Sequence, residues 1–129
     1  MSIRKQVREF MVAAGQDLPG KPTIPSMDVA KLRTKLVLEE VLELTDATFG
    51  QNEPNMVEIA DALADLDYVV EGMRLALGID GKPIADEVHR SNMAKFGPGS
   101  WKREDGKQMK PPDWTPPNIA KILEEQSKG

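Results

Sequence analysis

Residues 38–44 read Leu-Glu-Glu-Val-Leu-Glu-Leu, LEEVLEL, and where those three glutamates fall on a helix decides how the chain is read. Upstream and downstream the apolar positions recur at helical spacing. On a wheel of about 100° per residue with Leu36 at zero, Val29, Leu32 and Ala47 lie within about 40° of it, and so do Glu40 and Glu43. An amphipathic helix ordinarily keeps carboxylates on its wet side. Here two of them continue the apolar seam and Glu39 flanks them, while Lys31, Lys35 and Asp46 lie farther round. A second arc of Val37, Leu38, Val41 and Leu44 predicts that this helix packs on more than one neighbour.

Working outward, the spacing of Ile3, Val7, Phe10, Met11 and Ala14 predicts a first helix over residues 2–14, closed by Gly15. DLPGKPTIPS (17–26), with its prolines and glycine, reads as an ordered or extended connection. Ser26 is the expected N-cap of the LEEVLEL helix, which runs to about Phe49, where GQNEPN breaks it. Asn55 caps a third helix that continues to Leu77 and stops at Gly78. A fourth is expected over about residues 83–95. From Gly97 the sequence turns rich in Gly, Pro and Lys, a long tail without regular structure closed by the short helix NIAKILEEQ. The whole reads as one all-α domain of residues 1–129, four-helix-bundle-like, with core helices over about 2–95 and a tail over 96–129.

Composition limits the chemistry. The chain has 129 residues, a formal net charge of −4 and no cysteine, which excludes disulfides, thiolate metal sites and cysteine nucleophiles. The acidic balance argues against binding a nucleic-acid polymer through a basic surface. No run approaches the roughly 20 apolar residues that span a bilayer, so the expected setting is the cytoplasm, away from membranes.

The third helix carries more acids. Ile59, Leu63, Leu66, Val70, Met73 and Leu77 form an apolar stripe, expected to be core. Asp67, Glu71 and Arg74 share an arc expected to face solvent. Glu58, Asp61 and Asp65 share a third arc about 60° wide, followed along it by Val69, Gly72 and Ala76. Small residues in line with acids predict close approach by another helix, which would cover these acids too. Four carboxylates roughly 5 Å apart repel by about 3 kcal/mol per pair at an effective dielectric of ~20, about 20 kcal/mol over six pairs, more than the ~5–15 kcal/mol by which a domain is stable. Protons or cations must offset that repulsion. A lone EExxE is ordinarily a solvated face; two helices with acids on sheltered arcs point to a cation. Oxygen-only ligands favour Mg²⁺ or Mn²⁺ over Zn²⁺, and Mg²⁺ so held keeps positions open for phosphate oxygens.

LEEVLEL, then EIADALADLDYVV, then EVHRSNMAKFG, resembles the all-α nucleoside triphosphate pyrophosphohydrolases, a superfamily that includes MazG-like proteins, phosphoribosyl-ATP pyrophosphatases and dimeric dUTPases. The resemblance covers about residues 27–120, including the REDGKQMKPPDW tail. It implies Mg²⁺ held by an EExxE helix and an ExxD helix, and water attack that releases pyrophosphate and a nucleoside monophosphate. It places Glu39, Glu40 and Glu43 in the first motif as catalytic residues. Two registers fit the second: Glu58 with Asp61, or Asp65 before the Leu-x-Tyr-Val stretch, where Ala62 stands in place of the glutamate. The expected metal ligands are Glu40, Glu43, Asp61 and Asp65, with Glu58 secondary. Asn92 and Lys95, three residues apart on the fourth helix, are expected at substrate phosphate, with Arg103 and Lys107 as weaker candidates. Lys102, Arg103, Lys107 and Lys110 otherwise read as a solvated face.

His89 reads as an ordinary helix residue, the methionines as core fillers, and Trp101 and Trp114 as anchors of the tail. A nucleobase is expected near the first helix and the proline-rich loop, against Phe10 or Ile24. The resemblance also implies a homodimer or homotetramer. A dUTPase-like or house-cleaning enzyme for modified nucleotides, a phosphoribosyl-ATP hydrolase, and a non-catalytic helical regulatory or interaction module remain the alternatives.

Overall fold

The computed structural model describes residues 2–50 and 53–128, and its chain divides into two units, Met1–Ile79 and Asp80–Gly129. In the first unit the Ser2 hydroxyl caps α1 (Ile3–Ala13), and Gly15 closes it at φ 78°. Ser26 caps α2 (Met27–Thr45) by accepting from Val29 N at 3.3 Å. A single π turn, Asp46–Gly50, ends that helix. Residues 53–55 are non-helical, as the GQNEPN break predicts, while 51 and 52 lie outside the described residues. Asn55 caps α3 (Met56–Leu77), which stops at left-handed Gly78 (φ 72°). There Gly78 N and Ile79 N donate back to Leu75 O and Arg74 O, satisfying carbonyls that a helix end otherwise leaves bare. The proline-rich connection is ordered, with Thr23 N donating to Leu77 O at 2.8 Å.

α2 packs along α3, and α1 lies across α3. Val7 and Met11, one helical turn apart on α1, are buried with Leu75, and Leu18, Tyr68 and Ala76 pack around them. Phe10 meets Tyr68 edge to face, centroids 5.8 Å apart. α1 and the Arg33 side chain lie over Gly72, where an added Cβ would be 3.4 Å from Arg33 Nη1, 3.8 Å from Val7 Cγ1 and 3.9 Å from Met11 Sδ, ordinary contact distances.

In the second unit Asp80 caps α4 (Gly81–Met93), so this helix begins earlier than the expected residue 83. Pro83 fits in its first turn, where a missing N–H breaks no helical bond. A 3₁₀ turn, Ala94–Phe96, follows. The tail then forms a short antiparallel hairpin, β1 (Trp101–Lys102) with β2 (Gln108–Met109), a correction to the expectation of irregular chain. Asn118 caps α5 (Ile119–Ser127). Trp114 does anchor the tail: its Nε1 donates to Ser91 O at 2.7 Å. Asn118 N donates to Glu87 Oε2 at 2.7 Å, and with Arg90 this holds the Glu87 carboxyl down at about 2. Trp101 is exposed.

Other expectations need correction. Glu71 is not solvent-facing but 7% exposed. Arg4 Nη1 reaches its Oε2 at 3.1 Å from α1, and Arg74 Nη1 its Oε1 at 2.9 Å. A wheel drawn for one helix contains no neighbour, so it could not show that α1 covers this arc. Within the chain the stripe on α3 is only partly buried; Leu63 is exposed, as are Leu32 and Val29 on α2. Glu58 and Asp61 are exposed and Asp65 half-buried, so the acids of α3 are less covered than the small-residue pattern implied. No helix among the described residues is long and apolar enough to cross a membrane.

Replacing Glu71 by alanine strands two partly exposed guanidinium groups and should cost about 1.5–3 kcal/mol. Urea denaturation with the m-value held constant measures it; a loss below about 0.5 kcal/mol, typical of a surface pair, would show that the network contributes nothing.

Candidate metal centre

Glu40 and Glu43 lie one turn apart on α2, where the three-residue step puts both on one face. α3 brings Asp65 to them. One oxygen from each of Glu40, Glu43 and Asp65 lies within 4.8 Å of the others. Gly72, seven residues after Asp65, meets Arg33, seven before Glu40, so the two helices run antiparallel and keep register over two turns. At this separation each ionised pair repels by about 3 kcal/mol at a dielectric of ~20.

The triad differs in exposure: Glu40 and Asp65 are half-buried and Glu43 is exposed. Burial pushes the Glu40 carboxyl up first, and a hydrogen bond shared with Glu43 and the charges of Glu43, Asp65 and Glu39 push it further. Glu40 Oε2 is buried with no hydrogen-bond donor. A buried acceptor left bare costs about 1–3 kcal/mol, and a cation coordinated there removes that cost. Hard carboxylate oxygens at this spacing fit Mg²⁺ or Mn²⁺.

The remaining sequence candidates separate. Asp61 and Glu58 lie outside the triad and line a cavity of about 240 Å³ together with Glu43, Asp46, Ala47 and Ala62. Glu43 therefore faces both the triad and this second acidic hollow. In space the two registers separate: Asp65 lies with Glu40 and Glu43, and Glu58 and Asp61 line the hollow beside it. Glu39 is exposed, 3.9 Å from Lys35 Nζ.

In the second unit, Asn92 is exposed on α4. Lys95 Nζ lies over the Trp114 ring at 5.7 Å and Lys110 Nζ at 4.5 Å. Lys95, Lys107, Lys110 and Trp114 line a cavity of about 250 Å³ that Asn92 does not border. Arg103 is held by Asp105, Nε to Oδ1 at 2.9 Å, which sets it apart from the lysines.

Two residues escaped the sequence reading. Asp46 lies off the seam on the wheel yet lines the acidic hollow with Glu43. Arg33 carried a visible signal, its seven-residue spacing from Glu40, which puts both on one face about 20° apart. Its Nη2 donates to Gln16 Oε1 at 2.6 Å, its Nε is buried without a partner, and burial lowers its pKa. Arg33 and Gln16 line a cleft of the first unit, about 670 Å³, between α1, the proline-rich connection and α2.

A protein of Acanthamoeba polyphaga mimivirus described as uncharacterized is 44% identical over 68 residues, 51% of this chain and 26% of that protein. Residues 7–92 match the phosphoribosyl-ATP pyrophosphohydrolase family, a span that holds α1 from Val7 onward, the residues of the cleft, and all of α2 and α3 with the three converging carboxylates. The chain belongs to that family, and through it to the MazG-like all-α nucleoside triphosphate pyrophosphohydrolase superfamily.

Proposed function

We propose that this protein hydrolyses a nucleoside triphosphate, NTP or dNTP, to the nucleoside monophosphate and pyrophosphate, with Mg²⁺ or Mn²⁺ bound by Glu40, Glu43 and Asp65. The observation that carries the reading is the convergence of those carboxylates within 4.8 Å around an acceptor, Glu40 Oε2, that has no donor. A divalent cation there supplies neutralisation of phosphate charge and orientation of water. Asp61 and Glu58, beside Glu43 in the adjoining hollow, extend the anionic wall and serve as further ligands. Glu39, next to the triad and exposed, takes the proton of the attacking water. Water oxygen bonds to the α-phosphorus, the bond to the bridging oxygen breaks, and pyrophosphate leaves. Asn92 and Lys95, with Lys107, bind phosphate oxygens; Arg103, engaged by Asp105, contributes less.

The base lies in the cleft beside Gln16 and Ile24. The protein works as a homodimer or homotetramer, a reading supported by apolar side chains exposed on α2 and α3, among them Leu42 at 69% and Val57 at 78%. The family match favours a second substrate reading, phosphoribosyl-ATP. Incubation with a panel of NTPs, dNTPs and phosphoribosyl-ATP, with Mg²⁺ and with chelator, tests all of this. Pyrophosphate should appear only with metal, and the fastest substrate names the class. Light scattering should give two or four copies. No pyrophosphate from any substrate would leave the non-catalytic module as the account of the fold.

A further inference from the structure

The cleft of the first unit is built to read a base, and its polar end is chemically one-sided. Met11, Leu18, Ile24 and Leu32 give it apolar walls, and its volume of about 670 Å³ lies within the ~300–1,000 Å³ typical of small-molecule sites. Arg33 and Glu40 share a face of α2 two turns apart, about 10.5 Å along the axis. A nucleotide whose phosphates lie at the carboxylates therefore has its base at Arg33.

A guanidinium only donates hydrogen bonds. That of Arg33 lies in a partly buried setting where its one polar partner among the described residues is the neutral Gln16 Oε1 at 2.6 Å, and its Nε has none. Buried cations are normally paired. Nε and Nη2 form one edge of the guanidinium, and the Gln16 carbonyl caps half of it. Gln16 is exposed and free to swing aside, so its oxygen holds the place of a ligand carbonyl. Once displaced, its amide leaves both donors to the newcomer.

Resting on the nucleotide reading above, we infer that Arg33 selects triphosphates whose base presents an oxo group beside a ring N–H at its guanine-O6 or uracil-O4 position, guanine, uracil or thymine, over adenine and cytosine, which present an amino group beside a bare ring nitrogen there. An oxo oxygen accepts from Arg33, as guanine O6 and N7 accept from arginine in nucleic-acid recognition. Asp17 also lines the cleft and suits the imide N–H that neighbours the oxo group in these three bases. Adenine and cytosine reverse both features, turning an amino group toward a donor and a bare ring nitrogen toward a carboxylate.

The test is kcat/KM for GTP, UTP and dTTP against ATP and CTP, for wild type and Arg33→Gln. Wild type should favour the oxo bases by about tenfold to a hundredfold, the effect of one hydrogen bond to a charged group, and Arg33→Gln should bring the two classes within a few-fold of each other. Equal rates in wild type, or an unchanged preference in a folded Arg33→Gln, overturn the inference while leaving the hydrolase intact. Gln16→Ala, at an exposed position, covers the case in which Arg33→Gln does not fold: it should keep or sharpen the oxo preference, and its loss there would assign the selectivity to Gln16. If no triphosphate is hydrolysed, the hydrolase reading fails by itself and nuclear magnetic resonance decides. The Arg33 Nε–H signal should then move with GMP and UMP and stay with AMP and CMP; no movement, or equal movement, overturns it.

Discussion

Asp65→Asn should lower kcat for pyrophosphate release by about a hundredfold to a thousandfold, the usual loss when a group that organises transition-state charge is removed. Glu43→Gln should do the same, since Glu43 belongs to the triad and to the neighbouring acidic hollow. Stability should move in the opposite direction. Glu40's carboxyl sits above its ordinary value of 4.5 because of burial and its acidic neighbours, so the folded, metal-free protein holds a proton that the unfolded chain releases. That contribution is complete below about pH 4.5 and is lost as pH rises through the raised value. Metal-free protein should therefore melt higher at mildly acid pH than at neutral pH, and Glu40→Gln should flatten the difference. At neutral pH, Mg²⁺ at a hundred times its Kd should add about 2.7 kcal/mol of stability to wild type and far less to Asp65→Asn. A wild-type melting curve indifferent to Mg²⁺ and Mn²⁺ would sink the metal centre.

The largest purely structural effect is expected at Gly78. Its left-handed φ alone makes alanine cost about 1–2 kcal/mol. A Cβ there would also meet Lys21 O and Lys21 C at 2.1 and 2.6 Å, backbone atoms that move only if the proline-rich connection moves. Gly78→Ala should destabilise by about 3 kcal/mol or more, read from denaturant midpoints. Gly15, at φ 78° with nothing within 4 Å of an added Cβ, separates the two causes: Gly15→Ala should show the conformational cost alone. Equal losses at the two positions would mean that the contact with Lys21 is unimportant. Because the connection passes over Leu77 through the Thr23 hydrogen bond and walls the cleft proposed to take the base, Gly78→Ala should raise KM as well.

Much of this was legible in the residue string because it depends on near neighbours. Ser26, Asn55 and Gly78 act on the turn beside them, so their caps and stop signal appear where the sequence puts them. Glu40 and Glu43 share a face through the helical repeat alone, whatever surrounds the helix, which is why the carboxylate pair could be picked out in advance. Asp65 stands among the candidates the sequence offers, but its meeting with Glu40 and Glu43, like the settings of Glu71 and Arg33, needed the folded chain. Which of the registers on α3 joins Glu40 depends on how far α3 slides along α2, a matter of side-chain fit between helices. Glu71 is buried because α1 brings Arg4 across it, and Asp46 joins the acidic hollow because α3 brings Glu58 and Asp61 beside it. Arg33 matters through a cleft assembled from α1, a proline-rich connection and α2, segments whose distance in space no periodicity encodes. Local hydrogen bonding set the helices and one carboxylate face; long-range packing brought Asp65 to that face and built the cleft.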